Sequence, residues 1–341
     1  MNRAELSRTA QAMVTKGKGI LAADESTGTI KKRFDAIGVE STETNRRDYR
    51  ELLFRTSDAM RNCISGVILY DETIRQKAAD GTPLVKLIEQ AGSIPGIKVD
   101  LGAKPLALCP GETITEGLDG LRERLVEYRG LGARFAKWRA VIDIAPGVPT
   151  YTGISVNAHA LARYAALCQE ETIVPIVEPE VLMDGDHDID TCARVTEWAL
   201  KEVFYALFNQ RVDLEGMILK PNMIVPGMKC AKQASVEEVA ERTIKCLKEC
   251  APAAVPGIAF LSGGQSDEEA TAHLNAMNKH PDLPWPLTFS YGRALQAAPQ
   301  KAWSGKAANV PAAQHAFAHR ARMNGLATRG EWNPDLEKQA A

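Results

Sequence analysis

The sequence predicts an α/β fold, a single-domain TIM (β/α)8 barrel, on three observations. Eight short apolar or β-branched runs recur along the 341 residues. The segments between most of them are long enough for a helix, and parallel neighbours need such crossovers. From Gly17 to Arg293, first run to last, is 277 residues, near the roughly 250 that such barrels use. An open doubly wound sheet satisfies the same alternation.

In chain order the runs are GKGILAAD (17–24), CISGVILY (63–70), PGIKVD (95–100), ARFAKWRAVI (133–142), TIVPIVEPE (172–180), LEGMILKP (214–221), PGIAFLSGG (256–264) and WPLTFSYG (285–292). In the sixth, Leu214, Met217, Ile218 and Leu219 read as a buried strand ending on Lys220. Pro221 has no N–H to donate, so the ladder cannot simply continue. Between the fifth and sixth runs, Ile189, Cys192, Val195, Ala199, Val203 and Ala206 share one helical face. Ser235 with Glu238, and Ser266 with Glu269, have capping-box spacing and mark two more helix starts. The run STETNRRDYR (41–50) reads as the opening of a solvated helix, and residues from about 330 to 341 as a mobile tail of the same domain.

Lys and Arg number 41 against 43 Asp and Glu, a net charge of −2. Neither nucleic acid nor a membrane surface is expected as a partner, because no global field attracts them. Hydrophobic residues make up 45%, which excludes wholesale disorder. The N-terminal MNRAELSRTAQAMV has no apolar core of signal-peptide length. No run approaches the roughly 18–20 apolar residues of a membrane helix. The seven cysteines (63, 109, 168, 192, 230, 246 and 250) form no C-x-x-C pair and fit reduced thiols in a cytoplasmic protein.

Polar residues collect where the runs end. They include Asp24, Glu25 and Ser26, then Lys98 and Asp100, Lys137 and Arg139, Glu178 and Glu180, and Lys220. Ser262-Gly263-Gly264 and Ser290-Tyr291-Gly292-Arg293 follow in the last two runs. In a barrel these ends converge on one mouth, where buried lysines and carboxylates require each other. Glycine turns after strands seven and eight are a common phosphate site, although S-G-G and Y-G-R are also plain turns.

A lysine in such a mouth has a chemical use. At an ordinary pKa of about 10.4, only about one amine in 2,500 is neutral at pH 7. Lowering that value by about three units costs the cation roughly 4 kcal/mol. Desolvation and neighbouring positive charge both act in that direction, and Lys137 and Arg139 offer such charge to Lys220. A neutral amine forms a Schiff base with a ketone, and the iminium draws electrons from an adjacent C–C bond. Asp24, Glu178 and Glu180 are candidates for the accompanying proton transfers.

GILAADESTGT, GIKVD, FAKWR, VPIVEPE, LKPN, FLSGGQS and LTFSYGRALQ, taken together, resemble the class I fructose-bisphosphate aldolases. The resemblance runs in order and at matching spacing from about residue 5 to 330. It implies a TIM barrel, reversible cleavage of fructose 1,6-bisphosphate, no cofactor, no metal and a homotetramer. It matches Lys220 to the Schiff-base lysine and Glu178 to the acid/base that assists loss of water from the carbinolamine. Asp24 matches the carboxylate taking the C4 hydroxyl proton. Lys137 matches the second active-site lysine, with Glu180 in its network. Arg139 matches a substrate-site arginine. Ser262, Gly263, Gly292 and Arg293 match the C1-phosphate site, and Ser26 and Lys98 the C6-phosphate region. Thr29 stands where animal members have serine and keeps the hydroxyl.

GDHDID (185–190) invites a metal reading, but no second histidine lies at ligand spacing. Asp188 is placed to cap the following helix. A phosphosugar isomerase in which Lys220 only pairs with phosphate, and a non-catalytic binding protein, are the competing functions. One departure stands out: animal members end in a tyrosine that assists proton exchange at the enamine carbon, whereas the last tyrosine here is Tyr291. The departure implies protonation by water or an active-site carboxylate. Detritiation of labelled dihydroxyacetone phosphate is then expected to run slower than cleavage; equal rates would contradict this.

Overall fold

Eight parallel strands close on themselves in the computed structural model, which describes residues 1–340. They are β1 (Gly19–Ala23), β2 (Ile64–Leu69), β3 (Ile94–Lys98), β4 (Phe135–Ile142), β5 (Val174–Val181), β6 (Ile218–Leu219), β7 (Ile258–Phe260) and β8 (Leu287–Tyr291). Each of the eight apolar runs carries one strand. β1 pairs with both β2 and β8, so the sheet has no free edge. The expected TIM barrel is the observed fold.

Alternation along each strand divides the core in two. Ile20, Ala22, Ile68, Phe135, Val174, Ile176, Ile218 and Ala259 fill the barrel interior. The N-terminal helix α1 (Arg3–Met13) plugs its lower end with Leu6, Ala10 and Met13, followed by Val14. Alternate residues such as Leu21, Val67, Ile97 and Leu219 face the surrounding helices. Gly96 is where the interior is tightest: a Cβ there would lie 2.3 Å from the buried Phe135 ring. The aromatic takes the space that a side chain on β3 would need.

The sixth run is shorter as a strand than its apolar content suggests. Only Ile218 and Leu219 pair, and Leu214–Gly216 forms a 3-10 turn. Gln169 explains the turn. Its side chain accepts from Asp213 N and donates to the carbonyls of Asp213 and Gly216. The chain beyond Lys220 is not orphaned by Pro221, whose carbonyl accepts from Leu261 N at 3.2 Å.

The helix caps follow the sequence. Ser266 and Glu269 form both halves of a capping box, whereas Ser235 makes only the serine half. Asp188 caps helix Ile189–Asn209 through Thr191 N at 2.8 Å. A short antiparallel hairpin, Ala103–Pro105 with Thr113–Thr115, was not legible in the sequence. Its Thr113 and Thr115 hydroxyls donate to the β4 carbonyls of Val141 and Arg139.

One surface expectation needs correction: helix Glu43–Phe54 is not simply solvated, because Arg46, Tyr49 and Arg50 are buried against the barrel. Of the expected tail, residue 341 lies outside the described residues, and the part before it meets helix Val310–Ala327 through Glu337. Trp332 is buried, and its N–H donates to Asn275 Oδ1. Glu337 accepts from Trp332 Nε1 at 2.9 Å and from Arg320 at 2.6 Å, and its other contact is His319 at 2.7 Å. Among the described residues no helix is long and apolar enough to cross a membrane.

Candidate active site

The carboxyl ends of the strands surround a cavity of about 570 Å³. Strand register dictates which side chains reach it. In β4, Lys137 and Arg139 are two apart and share a face; in β5, Glu178 and Glu180 do the same. Arg139 pairs in register with Glu178, Val141 with Glu180, and Lys98 of β3 with Lys137. All the residues given a role by the resemblance line this one cavity: Asp24, Ser26, Thr29, Lys98, Lys137, Arg139, Glu178, Glu180, Lys220, Ser262, Gly263, Gly292 and Arg293; Asp100, Gly264 and Tyr291 do not.

Glu178 lies between the two lysines. Its Oε1 is 3.1 Å from Lys220 Nζ, and its Oε2 is 3.6 Å from Lys137 Nζ. That second oxygen is buried and accepts no hydrogen bond. It is free to take a proton or a substrate hydroxyl. Lys137 Nζ also meets Asp24 Oδ2 at 2.8 Å and Asp100 Oδ2 at 3.9 Å. All five side chains are at most 12% exposed. Charges this dry persist only as partners of one another.

The electrostatics follow from that pairing. Burial alone would raise the Asp24 carboxyl, but Lys137 and Lys220 outweigh it and hold it at about 2. Burial alone would strip the proton from Lys137, but Asp24, Glu178 and Asp100 raise its pKa above the ordinary lysine value. Asp24 is therefore a carboxylate and Lys137 a cation at neutral pH. Arg139 pairs with Glu180 at the more open side of the mouth.

The two glycine-containing loops of the cavity lie over β7 and β8. Gly263 has φ +56°, a left-handed conformation that glycine adopts without strain. Arg293 donates to the Gly263 carbonyl and so ties the two loops together. Helix Arg293–Trp303 starts after Gly292 with no side-chain cap, which leaves first-turn amides without a capping partner at the mouth. Ser290 Oγ is buried there without a partner. On the opposite rim, Ser26 caps helix Thr27–Asp35 and lies 3.1 Å from the Thr29 hydroxyl.

Sequence reasoning left several participants unassigned. Lys32 and Arg33, from the helix after β1, line the same cavity. Arg33 is held by Glu25, which also accepts from Gln296 Nε2 at 2.8 Å. Arg50 lies beneath and donates to the carbonyls of Ala23 and Glu25. Asp100 accepts from Lys98 Nζ at 2.6 Å and from Arg139 N at 3.3 Å. The signal for Arg50 was its spacing: Arg46, Tyr49, Arg50 and Leu53 recur on one helical face. Among the described residues no three His, Cys, Asp or Glu side chains gather as a metal-ligating group, and His187 stands alone in its loop.

The Asp24 shift sets a stability expectation. Its carboxyl sits at about 2 when folded, against 3.8 for an ordinary Asp. A depressed folded value contributes stability above the unfolded pKa and loses it as pH falls through the folded one. The contribution is about 2 kcal/mol, lost between about pH 4 and pH 2. Denaturant unfolding across that range should show a shallower fall for Asp24→Asn than for the parent; equal slopes would contradict the assignment.

A family model described as class-I fructose-bisphosphate aldolase matches residues 5–341. A "Probable fructose-bisphosphate aldolase class 1" of Xanthomonas campestris is 61% identical over 333 residues, covering 97% of this chain and 99% of that one. The non-muscle fructose-bisphosphate aldolase of Lethenteron camtschaticum is 54% identical, covering 97% and 91%. A solved fructose-bisphosphate aldolase of Plasmodium falciparum, in complex with TRAP and a small-molecule inhibitor, superposes with TM-score 0.95 at 50% identity. That superposition covers 97% of this chain and 96% of that one. With likeness extending over nearly the whole of each partner, the chain belongs to the class-I fructose-bisphosphate aldolase family.

Proposed function

We propose that the chain cleaves fructose 1,6-bisphosphate reversibly to dihydroxyacetone phosphate and glyceraldehyde 3-phosphate, by way of an imine at Lys220. The observation that carries this reading is the Lys220–Glu178–Lys137–Asp24 array in one dry cavity. The Lys220 amine attacks the C2 carbonyl to give a carbinolamine. Glu178, 3.1 Å away, delivers the proton that lets the hydroxyl leave as water. The resulting iminium is the electron sink. Asp24, ionised at neutral pH, takes the C4 hydroxyl proton, the C3–C4 bond breaks, and its electrons pass into the enamine. Lys137 stays cationic, helps hold Asp24 as a carboxylate, and faces Glu178 Oε2 at 3.6 Å.

Ser262, Gly263, Gly292 and Arg293 hold the C1 phosphate, and Ser26, Thr29 and Lys98 receive the C6 end. Arg139, Glu180 and the cationic Lys32 and Arg33 complete the walls. Tyr291 is unsuited to protonating the enamine, because its buried hydroxyl donates to Ala270 O and its pKa is pushed up by burial. The isomerase reading accounts for a lysine beside phosphate but not for one buried against a carboxylate with an open oxygen. All seven cysteines are free thiols, which supports a cytoplasmic setting.

We also propose a homotetramer. Tyr205 and Phe208 stand 66% and 78% exposed near the end of helix Ile189–Asn209, and Leu108 and Tyr151 are exposed on other elements. Large apolar side chains in the open are the usual material of subunit contacts. Light scattering should return about four times the 37.1 kDa chain mass; a monomer would contradict this.

Borohydride added with substrate should reduce the imine and leave the substrate's mass on Lys220, located by peptide mass spectrometry. Lys220→Ala should lose cleavage by several orders of magnitude while still binding phosphate ligands. Arg293→Ala should raise KM more than it lowers kcat. EDTA should leave activity intact. Normal cleavage by Lys220→Ala would sink the mechanism.

A further inference from the structure

The loop Ser262–Gly264 is bracketed by two thioethers that the cleavage reaction does not use. Met183 follows β5, and its Sδ accepts the Gly264 N–H at 3.1 Å. Met228, in the loop after β6, comes from the other side. A Cβ on Gly264 would lie 2.6 Å from Met228 Sδ and 3.5 Å from Met183 Sδ. A Cβ on Gly263 would lie 3.0 Å from Met183 Sδ. The two loops are joined by a backbone bond from Met228 N to Met183 O at 2.7 Å. Glycines at 263 and 264 are thus what allows two sulfurs to rest against this backbone.

We propose that Met183 and Met228 form an oxidisable pair through which hydroperoxides weaken phosphate binding at the adjoining loop. The inference rests on the assignment of Ser262 and Gly263 to the C1 phosphate. Met228 is 49% exposed, so a peroxide reaches its sulfur from solvent. Met183 is half-buried against the core beside it. The step balances without any further reactant. The thioether sulfur takes the distal oxygen of the hydroperoxide as the O–O bond breaks, and water or an alcohol leaves. The sulfur is oxidised by two electrons and the peroxide reduced by two.

The consequence is steric and polar at once. A sulfoxide carries an additional oxygen and is a far stronger acceptor than a thioether. At Met183 that oxygen would take the Gly264 N–H from further away. At Met228 it would have to occupy space now held by Gly264. Gly263 already uses a left-handed φ, and Arg293 grips its carbonyl. A displaced Gly264 therefore drags the phosphate-side amides with it. Glu178 and Lys220 precede the two methionine loops on β5 and at the end of β6, where strand pairing and the bond from Lys220 N to Val177 O at 2.8 Å hold them, and Asp24 directly follows the far strand β1.

The test treats the full protein with hydrogen peroxide, restores thiols with dithiothreitol, and maps the added oxygen by peptide mass spectrometry. Met1, 58% exposed, serves as an internal reference. Oxidation at Met228 and Met183 should raise KM for fructose 1,6-bisphosphate, and the inhibition constant of inorganic phosphate, by about fivefold, the equivalent of one ordinary hydrogen bond. The kcat should change less than twofold. Methionine sulfoxide reductases should restore KM, and a Met183→Leu/Met228→Leu protein should keep its KM under peroxide. An equal rise in that variant overturns the proposal. So does full oxidation of both sulfurs with KM unmoved, or oxidation of Met1 while Met228 stays reduced. Arg293→Ala, measured without peroxide, tests the phosphate assignment separately. If it leaves phosphate inhibition unchanged, that assignment fails whatever the methionines do.

Discussion

The placement of Glu178 between Lys220 and Lys137 is the interaction on which the rest of the site depends. Neither amine sits comfortably in a barrel mouth this dry without a carboxylate, and neither carboxylate without an amine. The barrel meets that requirement through register. Alternation along β4 and β5 aims Lys137 and Glu178 to the same side, and the pairing of adjacent strands fixes their height. The buried ions are a stability liability that only a specific arrangement offsets, which makes their common location chemically meaningful.

Beneath that layer lies a second set of charges, built on the end of β1. Arg50 holds the Ala23 and Glu25 carbonyls from below, and Glu25 in turn holds Arg33 at the cavity wall. Gln296, from the helix after β8, reaches both Ala22 O and Glu25. Asp24 sits in the middle of this scaffold. The role proposed for Asp24 gains from a backbone clamped on both sides, because small misplacements are costly in catalysis.

Much of this was legible in the sequence. The strands announce themselves as apolar runs, and the polar residues at their ends mark the cavity. Lys220 stood out because a charge followed directly on Ile218 and Leu219. Other features resisted for identifiable reasons. Apolar content does not separate a strand from a 3-10 turn, and only the Gln169 side chain, clamping Leu214–Gly216 from a helix distant in sequence, decides for the turn. Three-residue strands such as Ala103–Pro105 leave too short a pattern to detect. Arg46 and Arg50 looked solvated because charge dominated the reading of 41–50, although helical spacing set them beside Tyr49. Trp332 and Glu337 stand among polar neighbours in the sequence, and their anchoring partners Asn275 and Arg320 lie on earlier helices.

Helix α1 seals the lower end of the barrel with Leu6, Ala10 and Met13. A cylinder stoppered at one end has a single doorway, so whatever enters must also depart by the same route. Order of departure is then decided by tethering: the aldehyde half, held by nothing covalent, leaves first, and the half still bonded to the enzyme waits behind it.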